Sequence, residues 1–395
     1  MMTRKHLGRP AALTLSSLLL TLGAAHTAAA QGYVQTNLVT DNQAVTPAAI
    51  TDPNLVNPWG IAVGGAFWIS DNGTGKSSLY AGDVNGNPLA KIGLVVTVPG
   101  AGGTQGSPTG QIYNPTTDFT VTANGKTGPA LFITAAEDGT LTGWNPSTGT
   151  SAALTATTTN AVYKGLAIGS SGANNYLYAA NFHTGAINVF DKNYAPTTLS
   201  GTFTDPTAPA GFAPFNIQNL NNKLYVTYAK QDAAKHDDIG GTGNGFVDVF
   251  DTSGNMLQRL ATGSGAGGTV DALNSPWGIA QAPTGFGAFS GDLLVGNFGS
   301  GRIDALDPTS GAFLGQLSSP SSSPLTIGGL WGLSFGNGKS AGDSSTLYFT
   351  AGANGEKDGL FGSLKANPVP EASEFTSWTL VVLALAVVIR RRRKA

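Results

Sequence analysis

Oxygen- and nitrogen-bearing side chains recur where short apolar runs end: Asp71 with Asn72, Glu137 with Asp138, Asn181 with His183, Lys230-Gln231-Asp232, Asn297 and Asn354. Just ahead of other apolar runs stand Trp59, Thr117, Lys164, Phe215, Trp277 and Trp331, and each of the three Trp residues is followed by Gly. Two chemistries suit these sets. Hard oxygen donors hold Ca2+, and Asp71, Glu137, Asp138 and Asp232 are the candidates for it. Flat rings flanked by amides stack on sugar rings or another flat ligand, and Trp59, Lys164, Phe215, Trp277, Trp331, Asn72, Asn181, His183 and Asn297 are the candidate contacts. A structural alternative stands beside both: Asp and Asn are what turns use, and a Trp ahead of Gly can plug a channel.

Other chemistries lack their residues. Cysteine is absent, which removes disulfides, thiolate nucleophiles and Cys-based metal sites. No G-x-S-x-G elbow, P-loop or H-E-x-x-H occurs. Past residue 30 only His183 and His236 remain, so a histidine zinc site would need carboxylates to complete it. The stretch KQDAAKHDDIGGTGNG, residues 230–245, mixes His236 with Asp237 and Asp238; it reads as a solvated loop or as a lid or ion loop. A formal charge of -2 gives no electrostatic case for nucleic acid.

The elements that must position these residues come from repetition. Gly at 55 residues and charged residues at 11% suit an all-β chain with many tight turns. One phrase occurs six times, with first strands at 60–63, 118–121, 165–168, 216–219, 278–281 and 332–335. Second strands follow at 67–70, 131–134, 177–180, 224–227, 293–296 and 347–350, rich in aromatic and β-branched residues. Third strands run into turns led by Asp83, Asn145, Asp191, Asp251 and Asp307. The spacing predicts one four-stranded blade per copy. The last copy stops after its third strand at 359–364, while YVQTNLV at 33–39 is a strand without a blade. Placed as the outer strand of blade six it closes the ring and covers an open edge. The expectation is a single six-bladed β-propeller, residues 31–364. Two β-sandwiches would not explain six copies. Residues before strand one and after strand two share a face, which brings the chemistry-bearing sets to one rim.

The repeats resemble NHL-like propellers and, at a distance, the gluconolactonase superfamily. Phrases such as TDPNLVNPWGIA, SDNGTGKSSLY, YAANFHTGAINVFD and GLWGLSFG look like an uncharacterised family of bacterial propellers, several with PEP-CTERM sorting tails. The gluconolactonase resemblance implies a divalent ion at the channel mouth, held by residues that precede the strand-head glycine. At the matching positions this chain has Trp59, Lys164, Phe215, Trp277 and Trp331, none a hard-cation ligand, so that activity is not carried over. No cofactor is expected, with Ca2+ left to the rim acids. The expectation is a binding module for exopolysaccharide or a partner protein through its aromatic face; a divergent metal-dependent hydrolase or lactonase is the alternative.

Both ends read as addresses. Residues 1–30 form a signal peptide, with Arg4, Lys5, His6 and Arg9 as its basic region, an apolar run at 11–25 and small residues before Gln31. Residues 365–374 form a linker containing Val369, Pro370 and Glu371. Residues 375–389 form an apolar run shorter than the roughly 20 residues that span a bilayer. The basic cluster at 390–394 should stay cytoplasmic. This tail resembles PEP-CTERM signals, which implies an exosortase-type enzyme as partner and an exported protein held at the envelope or released. Ala372 stands where the second proline of the box belongs.

Overall fold

The computed structural model describes residues 32–367. Six sheets stand around one axis, antiparallel except for the two-residue strand Ile50–Thr51, which adds in parallel at the outer edge of the sixth. Counted outward from the axis, blade one is Pro58–Val63, Phe67–Asp71, Lys76–Ala81 and Ala90–Thr97. Blade two is Pro108–Tyr113, Phe132–Ala136, Thr140–Trp144 and Ala153–Thr157; blade three is Tyr163–Ser171, Asn174–Asn181, Ala186–Phe190 and Pro196–Thr197. Blade four is Phe212–Leu220, Lys223–Lys230, Phe246–Asp251 and Met256–Thr262; blade five is Pro276–Gln281, Leu293–Asn297, Ile303–Leu306 and Phe313–Gln316. Blade six takes Leu330–Phe335, Leu347–Gly352 and Asp358–Ala366 from the end of the described chain and Tyr33–Thr40 from its start. Tyr33 pairs with Ala366 and Thr40 with Leu360, so the ring is closed by hydrogen bonds between segments far apart in sequence.

The apolar pattern explains why the blades stack. A second strand lies between two neighbouring blades, so both of its faces are buried, and the period of two sends alternate residues to opposite sides. Phe67 and Ile69 pack toward blade six, while Trp68 packs toward blade two. Leu293 and Val295 face blade four, and Leu294 faces blade six. Each of the six gaps between blades thus has its own apolar layer.

Blade two corrects one expectation. Residues 118–121 are not its first strand. Thr120–Ala123 pairs with Lys126–Pro129 in a separate hairpin inserted after Pro108–Tyr113, which is the innermost strand. Thr120 and Thr122 are exposed while Val121 is buried, as on a one-sided surface strand. The true strand head carries Thr109-Gly110 where other blades carry Trp-Gly, and that hid it. Thr117 is an exposed loop residue.

All six blades repeat an irregularity at the head of the inner strand. In blade one the pairing passes from Pro58–Asp71 to Ile61–Ile69, leaving Trp59 and Gly60 opposite Ser70 alone. The same shift occurs at Thr109-Gly110, Lys164, Phe215, Trp277 and Trp331-Gly332. A bulge re-aims the inserted side chain, and the repeat gathers one such residue per blade at the same end of the axis.

The residue after the bulge meets the next blade's backbone. Gly60 lies against the Thr109 carbonyl, Gly110 against Leu166 N, Gly165 against Asn216, Gly278 against the Trp331 carbonyl and Gly332 against the Trp59 carbonyl. Blade four has Asn216 instead, whose amide donates to the Trp277 carbonyl at 2.8 Å. Among the described residues no helix is long and apolar enough to cross a membrane; residues 1–30 and the tail with Val369, Pro370 and Glu371 lie outside them. A Cβ on Gly332 would sit 2.5 Å from the Trp59 carbonyl oxygen. Gly332→Ala is therefore expected to destabilise the chain by about 1–3 kcal/mol, read as a lower urea midpoint. Gly93→Ala, where a methyl meets open space, should stay within about 0.5 kcal/mol of wild type.

Candidate functional site

The six residues set by the bulges are Trp59, Thr109, Lys164, Phe215, Trp277 and Trp331. Their rings turn into one another. Trp59 and Trp331 stack with centroids 3.5 Å apart, and Trp277 meets both edge-on at 5.9 and 5.8 Å. Phe298 stacks on the other face of Trp331 at 4.0 Å, and Phe215 tilts against it at 5.9 Å. Exposure of Trp59, Trp277 and Trp331 is only 3%, 4% and 1%. An open stacking platform for sugar rings is therefore not what these residues form. They make an apolar plug, together with Phe182, Ala213 and Ala229.

Lys164 caps this plug. Its side chain is 1% exposed, and its ammonium lies 5.0 Å from the Trp59 ring centroid. It donates to Glu137 Oε1 at 2.5 Å and to Asp237 Oδ1 at 3.2 Å. Burial alone would lower the Lys164 pKa; the two carboxylates outweigh it and hold the amine charged, above its usual range. Burial likewise opposes ionisation of Asp237, but Lys164 and His236 keep its carboxyl below the usual range.

A hydrogen-bonded arc extends this pair across the rim. Trp331 Nε1 donates to Asn57 Oδ1, Asn57 donates to Asn72, and Asn72 donates to Glu137 Oε2 at 3.1 Å. At the other end Asp237 Oδ1 lies 3.0 Å from His236 Nδ1. Residues from blades six, one, two, three and four are thus tied through Lys164. The loop at 230–245 carries Asp237 into the arc; Asp232 serves as its internal clamp, accepting from the backbone of His236 at 2.9 Å.

The remaining candidates have structural partners. Asp71 is fully buried and bonded by Ser78 at 2.6 Å, and burial raises its carboxyl well above the normal range. It cannot reach a rim ion. Asp138 uses both oxygens on the chain, accepting from Thr140 and from Ala101 N. Asn181 bonds Asn188 and Val162 N, and Asn297 bonds Asp304 and Asn274 N; these amides brace turns. His183 is half-buried beside the plug residue Phe182.

Two contributors escaped sequence reasoning. Asn57 precedes the Trp-Gly phrase by one proline, and nothing local marks its bond to Trp331. Glu356 follows Asn354 and Gly355 in three successive left-handed residues, with φ of 53, 64 and 67°. Side-chain-bearing residues hold such a conformation only where surrounding contacts impose it. Burial pushes the Glu356 carboxyl up to about 7; Lys164 pulls it back, while Glu137, Asp237 and Asp238 add to the rise. The vestibule therefore gathers four acidic side chains about one ammonium, one of them Glu356 with its raised pKa.

A divalent cation fits this donor set poorly. Ligand atoms of Glu137, His236 and Asp237 lie within 4.8 Å of one another, but the Lys164 ammonium already bonds two of the three.

The raised Glu356 pKa sets a sign. Between about 4.5 and about 7 the folded chain keeps a proton that the unfolded chain has lost, so this group's contribution to stability falls as pH rises through that window. Glu356→Gln removes the effect. The Tm of this variant relative to wild type should rise from pH 4.5 to 7 and then level off; a difference independent of pH would refute the coupling.

Comparison with known proteins places this architecture. No family model matches the chain. It is 35% identical over 328 residues to uncharacterised protein R648 of Acanthamoeba polyphaga mimivirus, covering 80% of this chain and 76% of the relative. It is 32% identical to uncharacterised protein L690 of the same virus, covering 82% and 83%. Among solved structures, an α-L-arabinanase from Penicillium chrysogenum in complex with arabinobiose superposes with a TM-score of 0.52, covering 84% of this chain and 98% of that one. At 12% identity that likeness concerns the fold alone.

Proposed function

The chain belongs to the family of the uncharacterised mimivirus proteins R648 and L690, and from that premise we propose that it is a binding propeller whose charged rim receives a basic group of a partner protein. One observation carries the reading. Glu137, Asp237 and Asp238 outnumber the single buried ammonium of Lys164, with the partly protonated Glu356 beside them, and Asp237 remains largely exposed, at 67% for its side chain. An incoming guanidinium suits such a site, because its fork of donors matches paired carboxylate oxygens. The buried plug beneath supplies an apolar floor. The hydrolase alternative rests on the proximity of Glu137, His236 and Asp237, and Lys164 weighs against it by standing where the ion would.

The addresses at both ends belong to this proposal. Residues 1–30 direct export, and the tail beyond Val369-Pro370-Glu371 holds the protein at the envelope until an exosortase-type enzyme trims it. Support comes from the basic, apolar and small-residue order at the start and from the apolar run and five cations at the end. Mass spectrometry of the exported protein should find Gln31 at its N-terminus, and a protein that keeps residues 1–30 would refute the leader.

Hexa-arginine serves as a probe of the rim. Calorimetric titration should show binding that weakens as salt rises. Asp237→Asn should weaken it by about tenfold, the loss of roughly 1.4 kcal/mol from one charge-assisted contact. Binding unaffected by Asp237→Asn would overturn the rim reading.

A further inference from the structure

The axis has a second mouth, at the far ends of the inner strands. Two cavities share it. One, of about 340 Å³, is lined by Val63, Gln111, Tyr113, Ile168, Gln218 and Ser334 among others. The other, of about 590 Å³, shares Gln218, Asn219 and Ser334 with it and reaches Asn221, Gln281 and Phe335. Between them the six blades all contribute. A space of only about 20 Å³ continues along the axis, lined by Gly60, Gly110, Gly332 and Trp277, so the glycine neck and the plug close the bore. This mouth is a blind funnel.

Its chemistry is opposite to that of the rim. Among the described residues no Asp, Glu, Lys or Arg lines any of the three spaces. In their place stand amides on aliphatic walls: Gln111, Gln218, Asn219, Asn221 and Gln281. An amide offers both donors and an acceptor. Gln111 is committed to Ser70 and Ser77, and Gln281 to Asn221 and the Gly291 carbonyl. Asn219 donates to the Ile168 carbonyl, which leaves its oxygen open. Among the described residues the Gln218 amide has no hydrogen-bond partner, although it borders all three spaces. At the lip Tyr113 is 40% exposed, with its ring braced on Phe132 at 5.5 Å.

We propose that this funnel is a binding site for the end of a neutral oligosaccharide. Hydroxyl groups both give and accept hydrogen bonds, as the amides do, and need no charge to meet them. A braced, half-exposed tyrosine ring at the lip gives a sugar ring a face to stack on. The volume lies in the range of small-ligand pockets. A peptide adding itself as a strand is disfavoured, because this face consists of closed hairpins such as Leu220–Lys223 and Gly64–Ala66 and presents no open sheet edge. The site is separate from the rim and does not depend on it.

The full-length chain, purified in mild detergent, is titrated with a panel of neutral hexasaccharides: maltohexaose, cellohexaose, xylohexaose, mannohexaose and arabinohexaose. Hexagalacturonate is the charged comparator. At least one neutral member is expected to bind, with hexagalacturonate at least tenfold weaker. Gln218→Leu, which keeps the volume, and Tyr113→Ala, at an exposed position that leaves folding intact, should each weaken binding at least tenfold. Asp237→Asn on the rim should leave it unchanged. Absence of binding by every neutral member overturns the proposal, as does binding insensitive to both funnel variants or lost in Asp237→Asn. Hexa-arginine binding is read on the same samples, so failure at one mouth is distinguished from failure at the other.

Discussion

Backbone meets backbone around the axis, and the rest of the molecule depends on that contact. Six inner strands converge so closely that a side chain at Gly60, Gly110, Gly278 or Gly332 would strike the next blade's main chain. Glycine is required for lack of a Cβ more than for unusual dihedral angles, since none of these four has a positive φ. The bulge just before each of them moves the preceding side chain out of the crowded neck and into the mouth. Close approach and plug are therefore two results of one local distortion, repeated six times.

That distortion also determines what each mouth can do. At the head end the inserted residues are large and apolar in four blades, so they fill the axis themselves and lift all polar chemistry onto the surrounding loops. Thr109 is a small exception in blade two, and Lys164 is the charged one. Carried by the same bulge, it is buried like its aromatic counterparts and would be untenable as a cation without Glu137 and Asp237. Loops from blades two and four supply those carboxylates, so the charge on blade three couples the positions of its neighbours. At the far end the inner strands diverge, no inserted residues fill the space, and an uncharged funnel remains.

Much of the fold was legible because a propeller is a repeat, and repeats advertise themselves. Aromatic second strands marked five blades and an aliphatic one, Leu293–Asn297, marked the remaining blade, and the unpaired strand at 33–39 had one place that closed the ring. Blade two misled because Thr109-Gly110 lacks the ring that made Trp59-Gly60 conspicuous, while an inserted hairpin nearby imitated the phrase. The site was less legible. By type, Trp59, Trp277 and Trp331 suit ligand contacts, yet burial converts the same rings into mutual partners. Gln218 stood in plain view as a polar residue within an apolar strand, the signal of a channel-facing position, but nothing local showed that its amide lacks a partner.

By itself the sequence determined the number of blades, the place of the closing strand and the residues that occupy five of the six strand heads, since these follow from period, turn chemistry and the need to cover a sheet edge; the head of blade two emerged only from strand pairing. Tertiary structure alone decided which side chains face solvent. Whether a ring stacks on a ligand or on another ring, and whether an ammonium is free or caged, depends on residues such as Trp59, Trp331, Glu137 and Asp237, which lie far apart in the chain. They meet only when six blades close around one axis.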